Sequence, residues 1–176
     1  GVVYIASSRL DLKDAWVYAL NASAEEMSDE ERLIWEFHPP GPPFWGILKV
    51  AFCAPTVAYI PELETTVVYI AVLDDYGIYA LNATNAEIIW RGKAPAPYLI
   101  LLFDSVAIAD GVLYVGDIMY SADGTEPNFF AINATTGEEM WSLSTIYPVL
   151  TSPAVSGNGI VYVGTGWEDT YKEQGI

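Results

Sequence analysis

The side chains that carry most enzyme chemistry are scarce in these 176 residues, which hold one histidine, His38, and one cysteine, Cys53. A Ser-His-Asp triad or a Cys-His pair would have to be built on His38, and nothing in the sequence sets Cys53 or a serine beside it. A zinc site draws on several His and Cys ligands, so a lone His38 next to Pro39 and Pro40 reads as a loop residue. No Cys-x-x-Cys-His run offers covalent haem attachment, and no Gly-x-x-x-x-Gly-Lys loop offers to cradle a phosphate. Asp11 with Asp14, Asp74-Asp75 and Glu168-Asp169 could lend oxygens to Ca²⁺. None has the spacing of an EF-hand loop, and such clusters are ordinary turn chemistry. No catalytic, cofactor-binding or metal-ligating residue is assigned.

Modification chemistry is better represented. Asn21-Ala22-Ser23, Asn82-Ala83-Thr84 and Asn133-Ala134-Thr135 are all N-x-Ser/Thr sequons, the acceptor pattern for N-glycosylation in an exported protein. The alternative is that each asparagine caps a turn through its side chain. On the first reading the chain belongs outside the cell or at its surface. No signal peptide is visible, as expected of a mature or excerpted chain.

These sequons ride on a repeat. Tyr18-Ala19-Leu20-Asn21-Ala22, Tyr79-Ala80-Leu81-Asn82-Ala83 and Phe130-Ala131-Ile132-Asn133-Ala134 are each followed by a tryptophan, Trp35, Trp90 or Trp141. A second phrase runs in step: Val2–Ala6, Val67–Ala71, Val112–Gly116 and Ile160–Gly164, each centred on a tyrosine. Tyr69 to Tyr114 is 45 residues and Tyr114 to Tyr162 is 48, whereas the first repeat is lengthened at acidic residues 24–31 and at proline-rich residues 39–43. The acidic stretch reads as a solvated loop, and the prolines forbid a helix or a central strand. Short Val-, Ile-, Tyr- and Phe-rich runs between Gly, Asp and Asn clusters predict strands and tight turns, with no helix of normal length. Asp74-Asp75-Tyr76-Gly77 and Thr135-Thr136-Gly137-Glu138 are two such turns, and 106–109 and 153–155 supply a strand before each later tyrosine phrase. Each repeat is thus four strands, the size and content of a β-propeller blade.

The run Ala131-Ile132-Asn133-Ala134-Thr135-Thr136-Gly137-Glu138-Glu139-Met140-Trp141, with the strands after it, resembles the repeat of the pyrroloquinoline-quinone (PQQ)-like propellers. That resemblance implies an all-β fold of four-stranded antiparallel blades, with Trp35, Trp90 and Trp141 docking blade on blade. The third copy matches closely. The second has Asn85-Ala86 where Thr136-Gly137 stands, and the first is interrupted. The family usually has Asp where this chain has Asn21, Asn82 and Asn133. Its members include quinone-dependent dehydrogenases and noncatalytic scaffolds such as the barrel-assembly lipoprotein of bacterial outer membranes. The former bind PQQ with Ca²⁺ or a lanthanide on the propeller axis, and several use adjacent cysteines, which this chain lacks.

Propellers close with about 4 to 8 blades, and only about three are legible, in one partial domain of repeats 2–60, 61–108 and 109–156 with a fragment at 157–176. An open array leaves unpaired strand edges. The sequence therefore predicts an excerpt of a longer propeller, favoured by a start without Met, or copies that complete one another as a homo-oligomer. Lys and Arg total 7 against 23 Asp and Glu, a net charge of −16 that repels nucleic acid and anionic membranes alike. The chain is 52% hydrophobic with mean hydropathy +0.27, yet its longest apolar run, 98–103, falls far short of the roughly 20 residues of a membrane helix. It reads as a buried strand, and no membrane insertion is expected. The expected function is a noncatalytic extracellular or cell-surface scaffold or self-assembling structural protein without cofactor. The alternative, a fragment of a PQQ-dependent dehydrogenase, would carry PQQ with Ca²⁺.

Overall fold

The computed structural model describes residues 1–9, 14–23, 25–40, 51, 53–72, 77–93, 105–116, 129–145, 147–149 and 151–166. Thirteen strands run through these residues. Strands β1 (Val2–Ser8), β2 (Ala15–Asn21) and β3 (Leu33–Phe37) form the first sheet, in that order. The second sheet is β4 (Thr56–Ile60), β5 (Thr65–Val72), β6 (Gly77–Asn82) and β7 (Ile88–Lys93). The third is β8 (Ala107–Ala109), β9 (Val112–Gly116), β10 (Phe129–Asn133) and β11 (Glu139–Leu143), and β12 (Ala154–Val155) with β13 (Val161–Tyr162) begins a fourth. Every pairing is antiparallel and between consecutive strands. Each tyrosine phrase is the second strand of a blade, so β4 joins the sheet that follows it rather than the repeat 2–60. The first sheet has no described counterpart of β4 or β8. β4 packs beside β8 and β8 beside β12, which places these strands on a common side of the stack.

The register repeats from blade to blade. Val2, Val67 and Val112 face Asn21, Asn82 and Asn133, and one period later Tyr4, Tyr69 and Tyr114 face Ala19, Ala80 and Ala131. With a period of two, one slip would invert both faces of a sheet, so identical register keeps the same residues at every interface. The core consists of those interfaces. Tyr69, Ala71, Ile78 and Ala80 of blade 2 pack against Leu113, Val115, Phe130 and Ile132 of blade 3. On the opposite face of blade 2, Val68, Ile70, Tyr79 and Leu81 pack against Ala15, Val17, Ala19 and Trp35 of blade 1. Covered on both faces, β5 and β6 read as nearly unbroken apolar runs.

The acidic stretch of blade 1 is more ordered than a solvated loop. Its residues Asp29–Arg32 make one helical turn, α1, with a reciprocal capping box: Ser28 Oγ accepts from Glu31 N–H, and the Glu31 carboxylate accepts from Ser28 N–H at 2.9 Å. That backbone N–H, together with the Ser28 hydroxyl, which donates to the same carboxylate at 2.8 Å, holds the Glu31 carboxyl below its usual range. Arg32 then donates from its guanidinium to the carbonyls of Asn21, Ser23 and Glu25 at 2.9 to 3.0 Å. A short run with no apolar periodicity gives no helical signal, so only its Ser-x-x-Glu spacing could have announced the turn.

Candidate functional site

Three equivalent corners, at the end of β2, β6 and β10, hold the residues singled out by the sequence. At the second, Asn82 Oδ1 accepts the backbone N–H of Thr84 at 2.8 Å; at the third, Asn133 Oδ1 accepts those of Thr135 and Thr136 at 2.8 and 3.0 Å. At the first, Asn21 Oδ1 accepts from Ser23 N–H at 2.9 Å. The asparagines therefore do cap the turns. Each corner is pinned further because Ala22, Ala83 and Ala134 donate their N–H back to Gly1, Thr66 and Gly111. That leaves the alanine carbonyl fixed in direction.

Two of those carbonyls are the docking points between blades. Trp35 Nε1 donates to Ala83 O at 2.8 Å and Tyr4 Oη to the same oxygen at 3.3 Å. One blade on, Trp90 Nε1 and Tyr69 Oη both donate to Ala134 O at 2.9 Å. The tyrosine–tryptophan pair is itself packed, with ring centroids 5.7 Å apart for Tyr4–Trp35 and 5.9 Å for Tyr69–Trp90. Burial pushes the Tyr69 hydroxyl well above its usual range, aided by the Glu62 carboxylate, and burial raises Tyr4 as well. Both stay protonated donors at any ordinary pH.

A β-bulge aims each tryptophan. Ala19 faces Trp35 but Leu20 faces Leu33, and the same skip falls at Ala80/Leu81 and at Ala131/Ile132. The extra residues are Ile34, Ile89 and Met140. Such a bulge turns the strand locally and re-aims the side chain beside it, and the facing alanines, all at 0% exposure, leave room for the indole. Gly137, at φ 78°, lies directly under Trp90: a Cβ there would sit 2.6 Å from Cε3. Ala86 takes the same left-handed conformation, φ 60°, in the corner that receives Trp35. The second repeat thus keeps the backbone shape that glycine provides and accepts the strain of a side chain in it.

The end blades present halves of the same joint. Tyr114 and Trp141 pair with ring centroids 6.1 Å apart, yet among the described residues their polar groups meet no carbonyl, and Trp141 is 44% exposed against 8% for Trp35. At the other end the Ala22 carbonyl receives no described side chain. Val3 and Ile5 are 46% and 41% exposed, whereas their counterparts Val68 and Ile70 are at 0% and 1%.

The remaining candidates are not brought together. Cys53 is buried between blades 2 and 3. His38 lies on blade 1, stacked on Trp16 with centroids 5.2 Å apart and with Nε2 3.1 Å from Asp14 Oδ1. Asp11, Asp74-Asp75 and Glu168-Asp169 lie outside the described residues, as does the apolar run 98–103. Among the described residues no cluster of three or more His, Cys, Asp or Glu could hold a metal ion, and no helix is long and apolar enough to cross a membrane, which says nothing of a β-barrel. The docking role of Tyr4 and Tyr69 was missed from sequence, although their fixed place in the second phrase, in step with the tryptophans, was its signal.

Antiparallel four-stranded blades, stacked face to face through a tryptophan and a corner carbonyl, define a β-propeller of the PQQ-like kind, here about three blades of an incomplete ring. Residues 77–172, more than half of the chain, match the family described as "Outer membrane protein assembly factor BamB", and the chain belongs to that family. Solved structures share the fold, three of them as follows. BamB from Moraxella catarrhalis aligns over 94% of this chain and 44% of its own, with TM-score 0.60 at 13% identity. Quinohemoprotein alcohol dehydrogenase from Comamonas testosteroni covers 94% of this chain and 28% of its own, with TM-score 0.66 at 16% identity. Its counterpart from Pseudomonas putida HK5 covers 88% and 27%, with TM-score 0.59 at 18% identity. In sequence, the tetrathionate hydrolase of Acidithiobacillus ferrooxidans is 29% identical over 156 residues, 80% of this chain. The chain spans 26% of that relative's length and less than half of each structural neighbour.

Proposed function

We propose that the chain is a noncatalytic propeller scaffold working outside the cytoplasm, at the cell surface or beyond it, whose blade faces assemble with other protein surfaces: further blades or further copies. One observation carries this reading. The donor pair and acceptor that close both internal joints are also displayed open, Tyr114 with Trp141 at one end and Ala22 O at the other, the latter beside Val3 and Ile5, whose counterparts are covered at an internal joint. Membership of a family described as an assembly factor supports the same reading. Tyr4, Tyr69, Trp35 and Trp90 are committed to docking, and the side-chain oxygens of Asn21, Asn82 and Asn133 to turns.

Sedimentation and native mass measurement test the proposal. The chain is expected to associate above its 19.3 kDa monomer, and Trp141→Ala to weaken that association at least tenfold. A monomer at all concentrations would overturn the assembly reading. Ca²⁺-dependent dye reduction after loading with PQQ would overturn the noncatalytic one.

A further inference from the structure

The three corner asparagines use only part of their chemistry. Each turn needs an acceptor at the asparagine and a backbone N–H two residues on, and nothing else of those two side chains. An aspartate would serve that turn at least as well, since a charged oxygen accepts the stronger bond. Nor does this chain avoid carboxylates, with 23 of them. The carboxamide Nδ2 of Asn21, Asn82 and Asn133 is engaged by no described residue. The hydroxyls of Thr84 and Thr135 are likewise unengaged, and Ser23 Oγ only accepts, from Glu25 N–H at 3.3 Å, which leaves its proton available. All three asparagines are partly exposed. The two groups that the fold leaves idle are the amide nitrogen and the hydroxyl, and these two define an N-glycosylation acceptor.

We infer that Asn21, Asn82 and Asn133 are N-glycosylation sites, one at the same corner of each blade, with the glycan linked through Nδ2 while Oδ1 goes on capping the turn. This rests on the export proposed above. The corners differ in when they are open. Ala83 and Ala134 are buried by the docked tyrosine and tryptophan at 8% and 0% exposure, whereas Ala22 is exposed. Asn82 and Asn133 are therefore modified before their blades dock, and Asn21 before or after.

The test is secretion of the full chain through a eukaryotic glycosylating pathway, followed by intact mass and peptide mapping after enzymatic deglycosylation in H₂¹⁸O. Glycan at two or three of the corners is the expected result. Thr84→Val and Thr135→Val keep the backbone N–H of the turn, so each should lose the glycan of its own corner while the unmodified, bacterially made variant melts as the wild type does. Glycan at one corner or none, or glycan retained after the valine substitutions, overturns the inference. Should secretion fail, purified oligosaccharyltransferase acting on urea-unfolded and on folded chain gives the same readout: all three sites unfolded, Asn21 alone folded, with no transfer to the unfolded chain overturning it. A glycosylated monomer would sink the assembly proposal and leave this one standing; an associating, unmodified chain would do the reverse.

Discussion

At the joint between blades 2 and 3, Trp90 and Tyr69 converge on one oxygen, Ala134 O; at the open end, Tyr114 and Trp141 stand in nearly the same relation to each other and converge on nothing described. The donor pair thus keeps its arrangement within its own blade where no described carbonyl receives it. Strand register and bulge place the rings, and the following blade contributes only a carbonyl and a flat surface. A joint of this kind is an addressed contact: two donors to one acceptor fix the angle between blades, and the apolar faces supply most of the energy.

Truncating the tryptophans separates the two situations most sharply. Trp35→Ala should cost about 3–5 kcal/mol, as large aromatic deletions in cores do, while Trp141→Ala in the isolated monomer should cost about 1 kcal/mol or less; urea unfolding measures both. Equal losses would mean that Trp141 is already docked. Next comes the residue beneath the indole. Gly137→Ala meets Trp90 at 2.6 Å and forces a side chain into φ 78°, so about 2–4 kcal/mol should be lost from strain and overpacking together. Ala86→Gly should change stability by about 1 kcal/mol at most, because relief of left-handed strain is offset by the lost methyl and the flexibility of glycine. A smaller contrast lies in the hydroxyls. Tyr69→Phe should cost about 1 kcal/mol, since Ala134 O keeps Trp90 as donor, and Tyr114→Phe close to nothing.

A further effect is a pH dependence of the closed joints. The folded chain holds the Tyr69 proton more tightly than the unfolded chain does, so above about pH 10 the folded state binds more protons and stability must fall as pH rises. Below pH 10 this contribution is complete. Melting followed from pH 8 to pH 11 should show the decline, and Tyr69→Phe should lessen it, leaving the share of Tyr4 and Tyr18, whose hydroxyls are raised as well.

The architecture was legible because its determinants recur: the tyrosine phrase, the Asn-Ala corner and the trailing tryptophan each appear several times at matching spacing. The tryptophan's role was legible only through family likeness, since one sequence does not say what an indole touches. The bulge was hidden, because an extra residue such as Ile89 looks like one more strand position until the partner strand is known. Tyr4 and Tyr69 were hidden for a related reason: a tyrosine among valines reads as apolar filling, and the oxygen it meets is a backbone atom 79 or 65 residues away that no side-chain pattern records. The capping asparagines could be read locally, because an Asx turn closes within two or three residues.

The insertion in blade 1 carries one more consequence. Arg32 gathers the carbonyls of Asn21, Ser23 and Glu25, and the capping box of α1 closes on itself, so the detour between Ser23 and Leu33 is braced from within. The corner at Asn21 and the strand leading to Trp35 are thereby insulated from the length and composition of the segment between Glu25 and Ser28. Foreign sequence spliced there would hang from a clamp rather than from the blade. Of the three corners, this is the one at which the molecule could gain a new loop without renegotiating its packing.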